Sequence, residues 1–130
     1  MQTIQQKRAQ FALKKITDAK EDPKLNKKDF NSYAAGLPAM IHMSGLGQAA
    51  AFYRSKSSEH VRLYNLLSEW LTRTGQPYGS KSKGDQKGQP YDDLLTGITQ
   101  ENMHRYRLAQ AEAQALMDWV KKFSSAYMTE

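Results

Sequence analysis

Apolar positions recur along this chain with the period of an α-helix and show little strand-like alternation. From Gln2 to Lys20, Ala9, Ala12, Leu13, Ile16 and Ala19 fall on one face at about 100° per residue, and that face is expected to enter a core. The opposite side gathers Ile4, Lys7, Arg8, Phe11, Lys14 and Lys15, two apolar side chains among cations. Such a face suits a nucleic-acid or protein partner; equally, Ile4 and Phe11 can pack under a neighbouring helix while the lysine stems lie along apolar surface. Pro23 breaks this helix, and a second is expected from about Lys27 through Phe30, Tyr33, Ala34 and Leu37. Gly36 and Pro38 predict a kink or break, after which Ser44 is a candidate N-cap for a helix through Ala49, Ala50, Ala51, Phe52 and Tyr53.

Ser57 or Ser58 can cap the next helix, whose buried stripe is Val61, Tyr64, Leu67 and Leu71, flanked by Leu63 and Trp70, with Gly75 as terminator. Residues 75–90, GQPYGSKSKGDQKGQP, hold little to bury and are expected to form a mobile loop. Its Lys81, Lys83 and Lys87 either dock on phosphates or are simply solvated. A short helix is expected around Asp92 to Ile98, then the longest one, beginning after Thr99 with Glu101 in its positive first turn. In this last helix Tyr106, Ala109, Ala113, Leu116, Val120, Phe123 and Tyr127 repeat at alternating steps of three and four. That heptad seam fits a coiled coil, but alanine at two of its first three positions favours a bundle helix packed closely on its neighbours. Trp119 and Phe123 are assigned to the core. The fold class is therefore all-α: a compact bundle of about five to six helices in a single helical domain, 1–130, with a long C-terminal helix and a mobile Gly/Ser/Lys loop.

Charge changes this picture by its distribution. Of the net +6, residues 1–28 carry eight Lys/Arg against three acids, residues 75–90 three Lys against one Asp, and the remainder eight against nine. Clustered cations point to a polyanionic partner such as nucleic acid, or else to solubilising helix faces. The absence of Cys excludes disulfides and thiolate chemistry and is compatible with a reducing cytosol. No apolar run follows the N-terminal charges as in a secretory signal, and none approaches the ~18 residues of a membrane span. A cytoplasmic protein is expected.

Chemistry-bearing motifs are sparse. Gly45-Leu46-Gly47-Gln48-Ala49-Ala50 fits the G-x-G-x-x-G/A dinucleotide fingerprint, but the preceding Leu37–Ser44 contains Pro38 and does not read as the required buried strand. His42, His60 and His104 sit in separate segments without metal-ligand spacing. Asp92 and Asp93 are adjacent and converge poorly on one ion, so a helix-start role is expected. With no Walker loop, nucleophile elbow or paired-carboxylate spacing, the chain is expected to be no enzyme and to need no metal or cofactor.

Three blocks together carry a resemblance: Lys7-Arg8-Ala9-Gln10-Phe11-Ala12, LPAMIHMSGLGQAAAF at 37–52, and YRLAQAEAQALMDWVKKF at 106–123. In order and spacing the chain resembles the small all-helical subunit of the Cmr complex, the type III-B CRISPR RNA-guided effector; Val120 stands where leucine is more usual. The resemblance implies a non-catalytic subunit of an antiviral ribonucleoprotein complex. Its copies would stack into a short filament whose basic surface helps hold guide and target RNA, while other subunits cut. Partners would be the other Cmr subunits, copies of itself and both RNAs, with the isolated chain a monomer or weak self-associator. The alternative is a stand-alone helical nucleic-acid-binding or protein-interaction adaptor. Charge clustering puts the nucleic-acid-binding role on Lys7, Arg8, Lys14 and Lys15, with Arg54 and Lys56 next; Arg105, Arg107, Lys121 and Lys122 form a competing set.

Overall fold

The computed structural model describes residues 1–79, 91 and 93–128, and among these the regular structure is entirely helical. The helices are α1 (Ile4–Lys20), α2 (Lys27–Ser44), α3 (Leu46–Arg54), α4 (Ser58–Leu71), α5 (Leu94–Gln100) and α6 (Met103–Met128). The long α6 packs chiefly against α1 and α2, and α3, α4 and α5 close the core. Cross-helix bonds Asn31–Ser124 and Pro38–Gln114 run in opposite sequence directions, so α2 and α6 are antiparallel.

Helix α1 starts with a capping box: Thr3 accepts from the Gln6 amide and the Gln6 side chain accepts from the Thr3 amide. Its buried residues are Phe11, Ala12, Ile16 and Ala19. The inward stripe is therefore rotated from the expected one. Leu13 lies at the margin, 36% exposed, whereas Phe11 is drawn in against the Trp70 ring, centroids 4.9 Å apart. Burying the larger aromatic face outweighs strict helical phase.

Of the kink or break expected near Pro38, the break does not occur: α2 continues to Ser44. A proline inside a helix costs about 3 kcal/mol. Full burial of flanking Leu37 and Ile41 returns about 1.5–3 kcal/mol each, enough to hold the helix through it. The break falls instead at Gly45, at φ 89°, and Gly45, not Ser44, is the N-cap of α3. A side chain at Gly45 would sit 3.1 Å from the Tyr106 hydroxyl, so both backbone angle and close approach require glycine.

Helix α4 buries Leu63, Tyr64, Leu66, Leu67, Trp70 and Leu71, a wider face than the stripe expected, with Val61 only partly covered. It ends before Gly75: Thr72 is the C-cap and its hydroxyl donates to the Ser68 carbonyl at 2.7 Å. Gly75, at φ 90°, serves the turn beyond. The expectation that 75–90 has little to bury fails at Tyr78, which is 1% exposed. Its amide donates to the Leu71 carbonyl and its carbonyl accepts from the Tyr91 amide. Its ring lies where a side chain at Gly97 would intrude, 2.8 Å from Cγ. The rest of that segment, 80–90 with Lys81, Lys83 and Lys87, lies outside the described residues, as does Asp92.

Glu101 does not sit in the first turn of the long helix. It is the C-cap of α5, where its carboxylate accepts from the Tyr91 hydroxyl, and Asn102 caps α6 by accepting from the Arg105 amide. The α6 seam is buried at Ala109, Ala113, Leu116 and Val120, then passes to Ser124 and Met128 instead of Phe123 and Tyr127. A straight helix falls about 20° behind a seven-residue repeat per heptad, so after three heptads the inward position arrives one residue later.

Candidate nucleic-acid interface

The cations of α1 divide into two kinds. Arg8 is bound into the molecule: its Nε and Nη2 donate to the Glu112 carboxylate at 2.7 and 2.9 Å, and Trp70 Nε1 donates to the same carboxylate at 2.8 Å. This fork ties α1, α4 and α6 together. The hydrogen bonds from Arg8, with a further contribution from Trp70, hold the Glu112 carboxyl below its usual range, and Arg8 is raised in turn by its bond to Glu112. Lys15 reaches across to Glu69 of α4 at 2.7 Å. Lys7 and Lys14 face solvent; among the described residues Lys14 pairs with Asp18 alone, at 3.5 Å on its own helix.

Phe11, between these cations, is covered. Lys15 Nζ lies 5.5 Å from its centroid, and the Arg73 guanidinium lies 4.8 Å from Phe11 and 5.2 Å from Trp70. Sequence reasoning passed over Arg73 because it falls past the end of α4, outside any charge cluster; an i,i+4 relation to Glu69 was its one local signal.

Arg54 and Lys56 project from the far end of α3, away in sequence and element from the α1 set. Lys56 Nζ lies 4.8 Å from the ring of half-exposed Phe52. Beneath, His60 stacks on Tyr33 at 3.6 Å, meets Tyr53 edge-on and shares a 2.8 Å hydrogen bond with Ser57 Oγ. Burial, assisted by the Lys56 charge, lowers His60 below its ordinary pKa, so its neutral ring serves packing near neutrality. The Tyr53 hydroxyl donates to the Tyr33 carbonyl at 2.6 Å, and burial pushes it up to about 12. Of the competing set, Arg105 donates to the Pro77 carbonyl, whereas Arg107, Lys121 and Lys122 lie exposed on α6. Trp119 and Phe123 are only partly buried, stacked on each other, with Trp119 Nε1 donating to Gln5.

The fingerprint glycines make no phosphate cradle. A helix precedes them, and the α3 amides that would meet a pyrophosphate already donate to α6: Leu46 to Gln110 Oε1 and Gly47 to Tyr106 Oη, both at 2.9 Å. Among the described residues, no three His, Cys, Asp or Glu side chains are grouped to hold a metal ion, and no helix is long and apolar enough to cross a membrane.

Among the described residues the chain folds into helices alone, presents exposed Lys and Arg on α1 and α6, and holds the Glu112 carboxylate in an ion pair with Arg8. The chain matches the family described as CRISPR-associated protein (Cas_Cmr5) over residues 4–127, and it belongs to that family. It is also similar to the crystal structure of a CRISPR-associated Cmr5 family protein from Thermus thermophilus, with 25% identity and a TM-score of 0.76. That match covers 97% of this chain and 98% of the other. Family membership supports the role of a Cmr complex subunit that the three sequence blocks implied.

Proposed function

We propose that this chain is a non-catalytic subunit whose copies stack beside the guide-bearing part of a cytoplasmic, RNA-guided antiviral complex and help hold guide and target RNA by their phosphates. The observation that carries this reading is the division of labour on α1. Arg8 and Lys15 bind carboxylates of other helices and fix the rod, while Lys7 and Lys14 are turned outward. Arg54 at the end of α3 and Lys56 in the turn after it offer a second outward pair. Such cations grip a backbone without reading bases, and pairing with the guide supplies sequence. Stacking draws support from Met43 and Met103, which are 83% and 63% exposed. A single copy should bind RNA weakly and salt-dependently, with affinity gained by repetition.

The test is retention of target RNA by the assembled complex across a salt series. Lys7→Gln with Lys14→Gln should assemble normally and release RNA at lower salt; unchanged retention removes this face from the reading.

A further inference from the structure

We propose that the groove between α1 and the turn after α4 is a phosphodiester site for single-stranded RNA, centred on Arg73. The proposal rests on the RNA-holding reading above and specifies where a phosphate sits. The groove has a volume of about 560 Å³, within the usual range for ligand-sized clefts. Lys7, Lys14 and Arg73 line it together with the neutral amides of Gln10 and Gln76, and no carboxylate is among its lining residues.

Arg73 is placed as a phosphate ligand should be. Its guanidinium lies over Phe11 and Trp70, which orients the planar group before any ligand arrives. Its one carboxylate neighbour among the described residues, Glu69, is 3.9 Å away and bonds Lys15 at 2.7 Å. The N–H fork thus retains donors for a bidentate phosphate contact. Lys7 and Lys14 are two turns apart on α1, about 10 Å along its axis, and extend the positive wall in a line.

The ligand is a nucleic-acid backbone and not a stacked base. Phe11 and Trp70 are 8% and 2% exposed, so neither ring has a free face for a base. Other grooves lack this combination. The one beside Lys15 and Arg62 also contains Asp18 and Glu69, and the one beside His42 and Met103 contains Arg107 as its only Lys or Arg.

The experiment is an NMR titration of the full ¹⁵N-labelled chain with decauridylate at low ionic strength, a readout suited to weak binding. The amides of Thr74, Gly75 and Gln76, the Trp70 indole N–H and the Arg73 side-chain N–H should shift together. Arg73→Gln should weaken binding about tenfold, the value of one charge-assisted contact, and lower the salt slope by about 0.7. Arg73→Lys should restore the slope but not the affinity. Shifts that avoid the groove and map to Arg54 and Lys56 would overturn this site while leaving the RNA-holding reading intact. Absence of shifts anywhere, with target retention by the complex unaffected by removal of the outward lysines and Arg54, would overturn both.

Discussion

Replacing Glu112 by glutamine removes the charge at the junction of three helices and nothing else of its shape. The carboxylate accepts three hydrogen bonds of 2.7–2.9 Å, two from Arg8 and one from Trp70, and the Arg8 and Glu112 side chains are 14% and 13% exposed. Glutamine keeps one acceptor oxygen, so part of the network survives, but Arg8 is left largely desolvated without its counter-charge. Removing one partner from a buried pair costs about 3–5 kcal/mol, and a hydrogen bond to a charged group is worth about 1.5–3 kcal/mol. The surviving acceptor and residual exposure place Glu112→Gln below the cost of a fully buried pair and within the hydrogen-bond range, at about 2 kcal/mol, or about 7 °C in Tm for a chain of this size. Urea unfolding followed by circular dichroism measures it. The double variant Arg8→Met, Glu112→Leu should lose less than the two single variants summed, since no unpaired charge remains. The pH dependence has a defined sign. The folded carboxyl titrates below its unfolded value of about 4.3, so its stabilisation is full above that value and is lost as pH falls through the folded one. The gap between wild type and Glu112→Gln should therefore close in acid. Strict additivity of the double variant, or a gap unchanged down to about pH 3, would refute the ion-pair account.

Two further pairs of substitutions separate local causes. Gly45→Ala meets both a positive φ and the Tyr106 hydroxyl 3.1 Å away, whereas Gly75→Ala meets a positive φ with open space around it; thermal melts should show losses of about 2 and about 1 kcal/mol. Tyr78 Oη is buried without a hydrogen-bond partner among the described residues, so Tyr78→Phe should be neutral or stabilising in urea unfolding. By contrast, Tyr64 Oη donates to Asp93 at 2.7 Å and accepts from the Leu95 amide, so Tyr64→Phe should cost about 1–2 kcal/mol. Equal costs within either pair would contradict the mechanism assigned to it.

What was legible in the sequence was what one helix decides by itself. Periodicity located the α2 and α4 cores and the seam through Ala109 to Val120. What depended on a second helix was not legible. Pro38 survives inside α2 because Leu37 and Ile41 are buried on either side, and of the two readings open for Phe11 it is Trp70 of α4 that decides for burial. Tyr78 looked like a residue in a solvated loop, yet Gly97 of α5 makes the space for it.

The same limit bears on the cations, and it changes how the basic helix should be understood. Net charge counts Lys7, Arg8, Lys14 and Lys15 as equals, but Arg8 and Lys15 have acidic partners 104 and 54 residues away in the chain. Their charges are largely neutralised where a polyanion would meet the helix, so added salt should act mainly through Lys7 and Lys14. Arg73 reverses the error: unremarkable in sequence, it gains a fixed plane from Phe11 and Trp70 and joins the outward lysines in one groove. In the proposed reading, phosphate binding falls to cations whose carboxylate contacts are long, Asp18 at 3.5 Å from Lys14 and Glu69 at 3.9 Å from Arg73, a property of packing that charge clustering along the chain approximates only in part.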